Sequence, residues 1–136
     1  MTTLTLQVDR PANGGAAVGR DADGRVVFVH GAIPGETVTA TVVGDKPGFR
    51  TAEATAILAP SPHRVTGLCA AAAAGAGCCD LAFIAPDHAR TLKEMIVRDT
   101  LIRVGKFPAA TVDGLGARVT ALPGGATGWR IRTRLA

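Results

Sequence analysis

The chain has 136 residues, which allows one domain or a small domain with part of a second. It contains no run of about 18 apolar residues, which excludes a membrane-spanning helix. The N-terminus lacks the basic and apolar segments of a secretory signal, so we expect a cytoplasmic protein.

The net charge of +4 is unevenly distributed. Residues 1–59 contain five Lys and Arg against six Asp and Glu, whereas residues 60–136 contain ten against five. A basic excess favours a polyanionic partner, because bound cations release counterions from phosphates. Many proteins that bind no nucleic acid carry a similar charge, so this excess favours RNA or DNA only weakly.

Several short stretches of residues 1–59 alternate between apolar and polar side chains. Each stretch is typical of a half-buried strand, and turn dipeptides such as Asp23-Gly24 and Pro34-Gly35 separate them. Four or five short strands at this spacing predict a small closed β-barrel, in which closure removes exposed sheet edges. The predicted strands cover residues 3–9, 25–30, 37–42 and 51–58.

Residues 60–136 are predicted to form an α+β fragment with one long helix and a C-terminal strand. Ala59 to Pro62 is the predicted domain boundary. A helix is predicted over about 86–105, because Pro86 suits a first turn and apolar residues recur at helical spacing. Strands are predicted over 118–122 and about 129–136. A chain that stops within a strand looks cut, not finished.

The barrel loops are expected to carry five RNA-binding residues, which are Arg20, Arg25, Lys46, Phe49 and Arg50. Arg20 and Arg25 lie in a glycine-rich stretch whose backbone N–H groups can approach a phosphate closely. Phe49 stands between cations, a combination that holds single-stranded nucleic acid. The alternatives are that the glycines only form turns, that the arginines are merely solvated, and that the ring of Phe49 fills the core. Phe28, inside an apolar strand, is expected in the core.

The segments GGAAVGR, DGRVVFV, AIPGE, FRTAEATAIL and SPHRV now stand in a recognisable order. In order and spacing they resemble the TRAM domain found at the N-terminus of S-adenosylmethionine-dependent RNA (uracil-5-)-methyltransferases. The resemblance implies an all-β, small five-stranded barrel of OB-like type over residues 1–59. It also implies binding to tRNA or rRNA.

The resemblance continues beyond the barrel. A family helix reading K-x3-V-x3-L-x-R-I-G is matched by the residues Lys93, Val97, Leu101, Arg103, Val104 and Gly105, and Gly128-Trp129-Arg130 matches a later strand. Residues 60–136 would then be a partial central domain, and the chain would stop before the catalytic domain. S-adenosylmethionine is expected as a cofactor of the full-length enzyme. No residue here is assigned a catalytic role, and this chain alone is expected to be an inactive monomer.

Cys69, Cys78 and Cys79 are the candidate metal ligands. In the family, a Cys-x5-Cys-Gly-Gly-Cys segment and a later cysteine hold a 4Fe–4S cluster. Here Ala76 replaces one of these cysteines, and two of the three present are adjacent. Cluster ligation requires four donors, and the spacing fits neither a zinc nor a ferredoxin pattern. These departures favour structural thiols over a bound cluster or zinc.

The sequence is also compatible with two other functions. One is an autonomous RNA-binding or RNA-chaperone module without enzymatic activity, although stand-alone proteins of that kind usually end after the barrel. The other is a redox-sensing or metal-sensing domain built on the cysteines.

Overall fold

The computed structural model describes residues 1–77 and 79–128. The chain divides into two compact units, Met1–Arg64 and Val65–Ala136. The division of the sequence into a domain of residues 1–59 and a partial central domain stays a prediction. Within the described part of the chain, no helix is long and apolar enough to cross a membrane.

The first unit is a closed five-stranded barrel with the strand order β1-β2-β3-β5-β4. Four of the neighbouring pairs are antiparallel, and β3 and β5 run parallel. The predicted five-stranded all-β fold is therefore confirmed. The strands are β1 (Thr3–Pro11), β2 (Ala17–Arg20), β3 (Val26–His30), β4 (Thr37–Lys46) and β5 (Phe49–Ala59).

Small and β-branched side chains fill the barrel, which suits its narrow interior. Strand β3 shows the alternation that places them there, since Val27 and Val29 are fully buried while Phe28 between them is only half-buried. The prediction that Phe28 fills the core is therefore wrong, because its side chain points to the outer face of the strand. The core consists of Leu6, Val8, Ala17, Val27, Val29, Ala32, Val38, Ala40 and Ala52.

Strand β2 was not predicted and lies in the glycine-rich stretch that was expected to form a loop with Arg20. It is short, but Ala17 and Val18 are buried, and it joins β1 to β3. Gly19 permits the close approach of β1, because a Cβ at this position would lie 2.6 Å from the backbone oxygen of Gln7. A glycine thus serves strand packing here, not phosphate contact.

The β4–β5 hairpin is tighter than predicted. Lys46 pairs directly with Phe49, so the expected loop reduces to the dipeptide Pro47-Gly48. Of the predicted contact residues, Lys46, Phe49, Arg50 and Arg20 lie at strand ends, and only Arg25 lies in a turn. The expectation that all five lie in loops is wrong, since both strands extend to the hairpin turn.

The turn before β4 carries the one charged side chain that is fully buried among the described residues, Glu36. Its carboxylate accepts hydrogen bonds from the backbone N–H groups of Ile33, at 2.8 Å, and Ser61, at 3.0 Å. Arg64 donates to both carboxylate oxygens at 2.7 Å and to the Gly31 carbonyl at 2.8 Å. These contacts fasten the segment that follows β5 onto the barrel.

The second unit contains three helices in its described part, α1 (Ala70–Ala73), α2 (Pro86–Arg103) and α3 (Ala109–Gly114). Helix α2 confirms the predicted long helix. It begins at Pro86, which has no N–H to leave unsatisfied. The predicted strand over 118–122 is wrong, since these residues form no regular structure, and α3 was missed. The predicted strand over 129–136 lies outside the described residues.

Candidate nucleic-acid interface

One row of side chains crosses the outer face of the barrel at the end that carries the β4–β5 hairpin. Arg20 on β2 pairs with Val26 on β3, Val26 pairs with Phe49 on β5, and Phe49 pairs with Lys46 on β4. Directly paired residues point to the same side of a sheet. The register therefore places Val26 and Phe49 between two cations, with Arg20 on one side and Lys46 on the other.

Phe28 extends this row into an aromatic surface. Its ring meets that of Phe49 edge to face, with centroids 5.5 Å apart and planes at 83°. The Lys46 ammonium lies 5.5 Å from the centroid of the Phe49 ring. Both distances are typical of attractive aromatic and cation–π contacts. We call Arg20, Phe28, Lys46 and Phe49 the aromatic platform.

The two cations of the platform are available to a ligand. Arg20 is exposed and donates from Nη1 to the Gly24 carbonyl at 2.7 Å. Within residues 1–77 and 79–128, neither Arg20 nor Lys46 forms an ion pair. Their charges are therefore not neutralised by the protein.

The other two predicted contact residues, Arg25 and Arg50, lie in a different environment. Arg50 donates from Nη1 to Asp21 at 2.7 Å and from Nε to Asp45 at 3.1 Å, and Arg25 pairs through Nη2 with the same Asp45. The Asp21 side chain is 3% exposed, whereas that of Asp45 is 53% exposed. We call these four residues the barrel-end network.

The network fixes the protonation of its exposed acid. The hydrogen bond from Arg25 is the main cause that lowers the pKa of Asp45, and the hydrogen bond from Arg50 lowers it further. Asp45 therefore stays ionised to a lower pH than an aspartate without these partners. The five predicted contacts thus divide into three members of the platform and two arginines that are already paired.

Comparison with known proteins identifies this barrel. Residues 2–56 match the protein family described as the TRAM domain. The barrel is a TRAM domain. This outcome confirms the family resemblance for the first unit.

Similarity to known proteins extends beyond the TRAM domain. An uncharacterized RNA methyltransferase of Corynebacterium efficiens is 37% identical over 133 residues, which cover 98% of this chain and 30% of that protein. One of Corynebacterium glutamicum is 38% identical over 135 residues, covering 97% and 31%. The 23S rRNA (uracil(1939)-C(5))-methyltransferase RlmD of Bordetella parapertussis is 36% identical over 113 residues, covering 83% and 23%. The chain thus spans about 30% of the length of the corynebacterial relatives.

Outside the TRAM domain, Cys69 and Cys79 line one cavity of about 780 Å³ in the second unit. Cys78 lies outside the described residues. A 4Fe–4S cluster needs four thiolate donors, and the described residues contain two cysteines. No group of three or more His, Cys, Asp or Glu side chains gathers in the described part of the chain. The described residues alone do not supply the donors of a cluster, and no chemistry is derived from one.

Sequence reasoning placed Phe28 in the core and did not consider Val26, yet both lie on the outer face of the barrel beside Phe49. The signal was present, because strict alternation along β3 sends Val26, Phe28 and His30 to one face and Val27 and Val29 to the other. Sequence reasoning also could not show that Arg25 and Arg50 share Asp45, since the three residues come together only when the barrel closes.

Proposed function

We propose that this chain is the RNA-binding part of an RNA (uracil-5-)-methyltransferase. The observation that carries the proposal is the aromatic platform, a half-buried pair of rings with a cation that forms no ion pair on each side. In the complete enzyme, S-adenosylmethionine is the expected methyl donor. The name of the Bordetella relative favours a uridine of ribosomal RNA over one of tRNA as the target.

The platform suits an unpaired stretch of RNA. Bases of a single strand expose their faces and can stack on Phe49 and Phe28, whereas bases inside a duplex cannot. Arg20 and Lys46 would then contact the phosphates on either side of the stacked base. Lys46 would leave the ring of Phe49 for a phosphate, exchanging a cation–π contact for a charged hydrogen bond.

The charge of the barrel also limits the RNA contact to a small area. Residues 1–59 contain one more acidic than basic residue, so this unit attracts RNA weakly as a whole. The first contact of the barrel with RNA should therefore rely on the few cations that no acidic residue neutralises in the described part of the chain. This requirement again favours Arg20 and Lys46.

A paired substitution tests the proposal. The variant Lys46→Gln/Phe49→Leu is expected to lose about tenfold or more in affinity for a short uridine-rich single strand, because it removes a phosphate contact and a stacking surface. Affinity is measured by fluorescence anisotropy with the 136-residue chain. The second unit offers a matched control in Lys106→Gln/Phe107→Leu, since Lys106 and the exposed Phe107 are likewise a cation and a ring that are neighbours in the chain.

The control variant is expected to bind within about twofold of the wild type. Equal losses in the two variants would show that binding is not located on the TRAM domain. Wild-type affinity in the Lys46→Gln/Phe49→Leu variant would refute the platform as the binding surface.

A further inference from the structure

We propose that Arg25 and Arg50 form a second phosphate-binding site, which the carboxylate of Asp45 occupies until an RNA phosphate displaces it. The inference rests on the function proposed above and adds to it a site with an internal competitor. It assigns to the barrel-end network a role in binding, beyond its role in the fold.

The geometry of the network resembles that of a bound phosphate. One oxygen of Asp45 accepts from Nη2 of Arg25, and the other accepts from Nε of Arg50 at 3.1 Å. A phosphodiester likewise presents two charged oxygens on one central atom. Guanidinium groups bind carboxylates and phosphates with the same donor pattern. Asp45 therefore occupies the place that a phosphate would take.

The two acids of the network differ in how firmly they are held. Asp21 is almost fully buried and also accepts hydrogen bonds from the backbone N–H groups of Asp23, at 3.0 Å, and Arg25, at 2.9 Å. The side chain of Asp45 is half exposed at the hairpin. Asp21 thus positions Arg50, while Asp45, which accepts only from side chains and is itself half exposed, is the acid that can rotate away.

Arg25 also has a donor that Asp45 does not reach. Its Nε is buried and has no hydrogen-bond acceptor among the described residues. A buried donor without an acceptor is costly, so Asp45 satisfies this guanidinium only in part. A phosphodiester has as many charged oxygens as a carboxylate, but its tetrahedral centre also carries two ester oxygens, which are weaker acceptors that this donor could use.

The site adjoins the aromatic platform. Arg50 follows Phe49 and Asp45 precedes Lys46, so these network and platform side chains lie on opposite faces of the same two strands at the hairpin end. Nη2 of Arg25 also donates to the backbone carbonyl of Lys46. An RNA strand that stacks on Phe49 and passes around this end of the barrel would bring its next phosphates to Arg25 and Arg50. The strand that contacts the platform would bring a phosphate to Asp45, and the exchange would add one phosphate contact.

Removal of the internal competitor tests the inference. Asp45→Asn is expected to raise RNA affinity about threefold to fivefold at low salt, because an RNA phosphate no longer has to displace a carboxylate from the two arginines. Loss of any acidic residue raises RNA affinity slightly, so Asp23→Asn is the matched control. Asp23 lies exposed in the neighbouring turn, and its gain is expected to stay below about 1.5-fold.

A second variant ties the gain to the arginines. In an Arg25→Gln background, Asp45→Asn is expected to bring no gain. In the wild type, RNA is expected to shift the side-chain Nε–H signals of Arg25 and Arg50 in NMR spectra. This measurement needs no substitution and stays decisive if a variant folds poorly.

The outcomes separate the two proposals. If Lys46→Gln/Phe49→Leu weakens binding but Asp45→Asn gains no more than Asp23→Asn, the competitor site is wrong and the platform stands. A gain that persists without Arg25, or Nε–H signals that do not shift with RNA, likewise overturns the site. If no variant binds RNA, both proposals fail.

Discussion

Glu36→Gln is expected to lower the free energy of unfolding of the barrel by about 3 kcal/mol, because it removes one partner of a buried ion pair. Arg64 keeps its charge but loses a carboxylate that it contacts through two nitrogens, each at 2.7 Å. The new amide group also brings N–H donors into a place where all neighbours donate. In a domain of this size, the melting temperature should fall by roughly 10–20 °C.

The effect should depend on pH. Burial raises the pKa of Glu36, but the hydrogen bonds from Arg64, Ser61 and Ile33 outweigh burial, so the pKa lies below the ordinary value of 4.5. A carboxylate with a lowered pKa stabilises the folded state fully above its unfolded pKa, and this contribution is lost as the pH falls through the folded pKa. The difference between wild type and Glu36→Gln should therefore be constant above about pH 5 and shrink at lower pH.

The matched control is Glu53→Gln, which makes the same chemical change on the exposed face of β5. Its effect on stability should stay within about 0.5 kcal/mol. Denaturation is followed through the amide signals of β3 residues, which report on the barrel and not on the second unit. If Glu36→Gln proved as stable as Glu53→Gln, Glu36 and Arg64 would not form the contact described.

Val29→Asp is expected to abolish the folded barrel. Val29 is fully buried in the core, where no cation lies within the cluster to pair with a carboxylate. Burial of an unpaired charge costs several kcal/mol, which is comparable with the whole stability of a small domain. Far-UV circular dichroism should show loss of the β signal of residues 1–64, while α2 need not change.

Val43→Asp provides the comparison for this substitution. Val43 lies on β4 but is 62% exposed, so the same change leaves the carboxylate in water. Its cost should stay below about 1 kcal/mol, the range of strand propensity. An unchanged spectrum for Val29→Asp would show that β3 has been assigned to the wrong face.

The barrel was largely predictable because its strands alternate regularly and its turns use glycine where the backbone requires it. Gly24 and Gly35 both have positive φ angles, 80° and 98°, as their turn dipeptides indicated. Strand β2 was not predicted because Ala17–Arg20 has only four residues and follows shortly after a glycine pair. Its place is fixed by tertiary packing against β1 and β3, which local propensity does not report.

The candidate site was predicted in part for a similar reason. The sequence around Phe49 indicates stacking and charge, because aromatic and cationic residues are neighbours in the chain. The pairing of Arg25 and Arg50 with Asp45 and Asp21 joins positions five to 29 residues apart. The β4–β5 hairpin pairs Arg50 with Asp45, but only the closure of the barrel brings Arg25 and Asp21 to them, so sequence spacing gave no sign of the whole network.

In the second unit, the long helix was predictable from the sequence, whereas the stretch after it was not. Helix α2 was predictable from Pro86 and its helical spacing, although Met95 and Val97 in its apolar stripe are exposed. The stretch over 118–122 has the composition of a strand, but a strand needs a neighbour to satisfy its backbone groups. Val119 instead donates its N–H to the side chain of Glu94 at 2.9 Å.

The salt dependence of RNA affinity tests the central claim most directly, since it counts the phosphates that the protein neutralises. Affinity for a short single strand is measured at several salt concentrations for the wild type and for Arg20→Gln/Lys46→Gln. The plot of log affinity against log salt should be about 1.4 shallower for the variant, because each phosphate contact on a single strand contributes about 0.7. Identical slopes for the two proteins, or an affinity that does not respond to salt, would contradict the account.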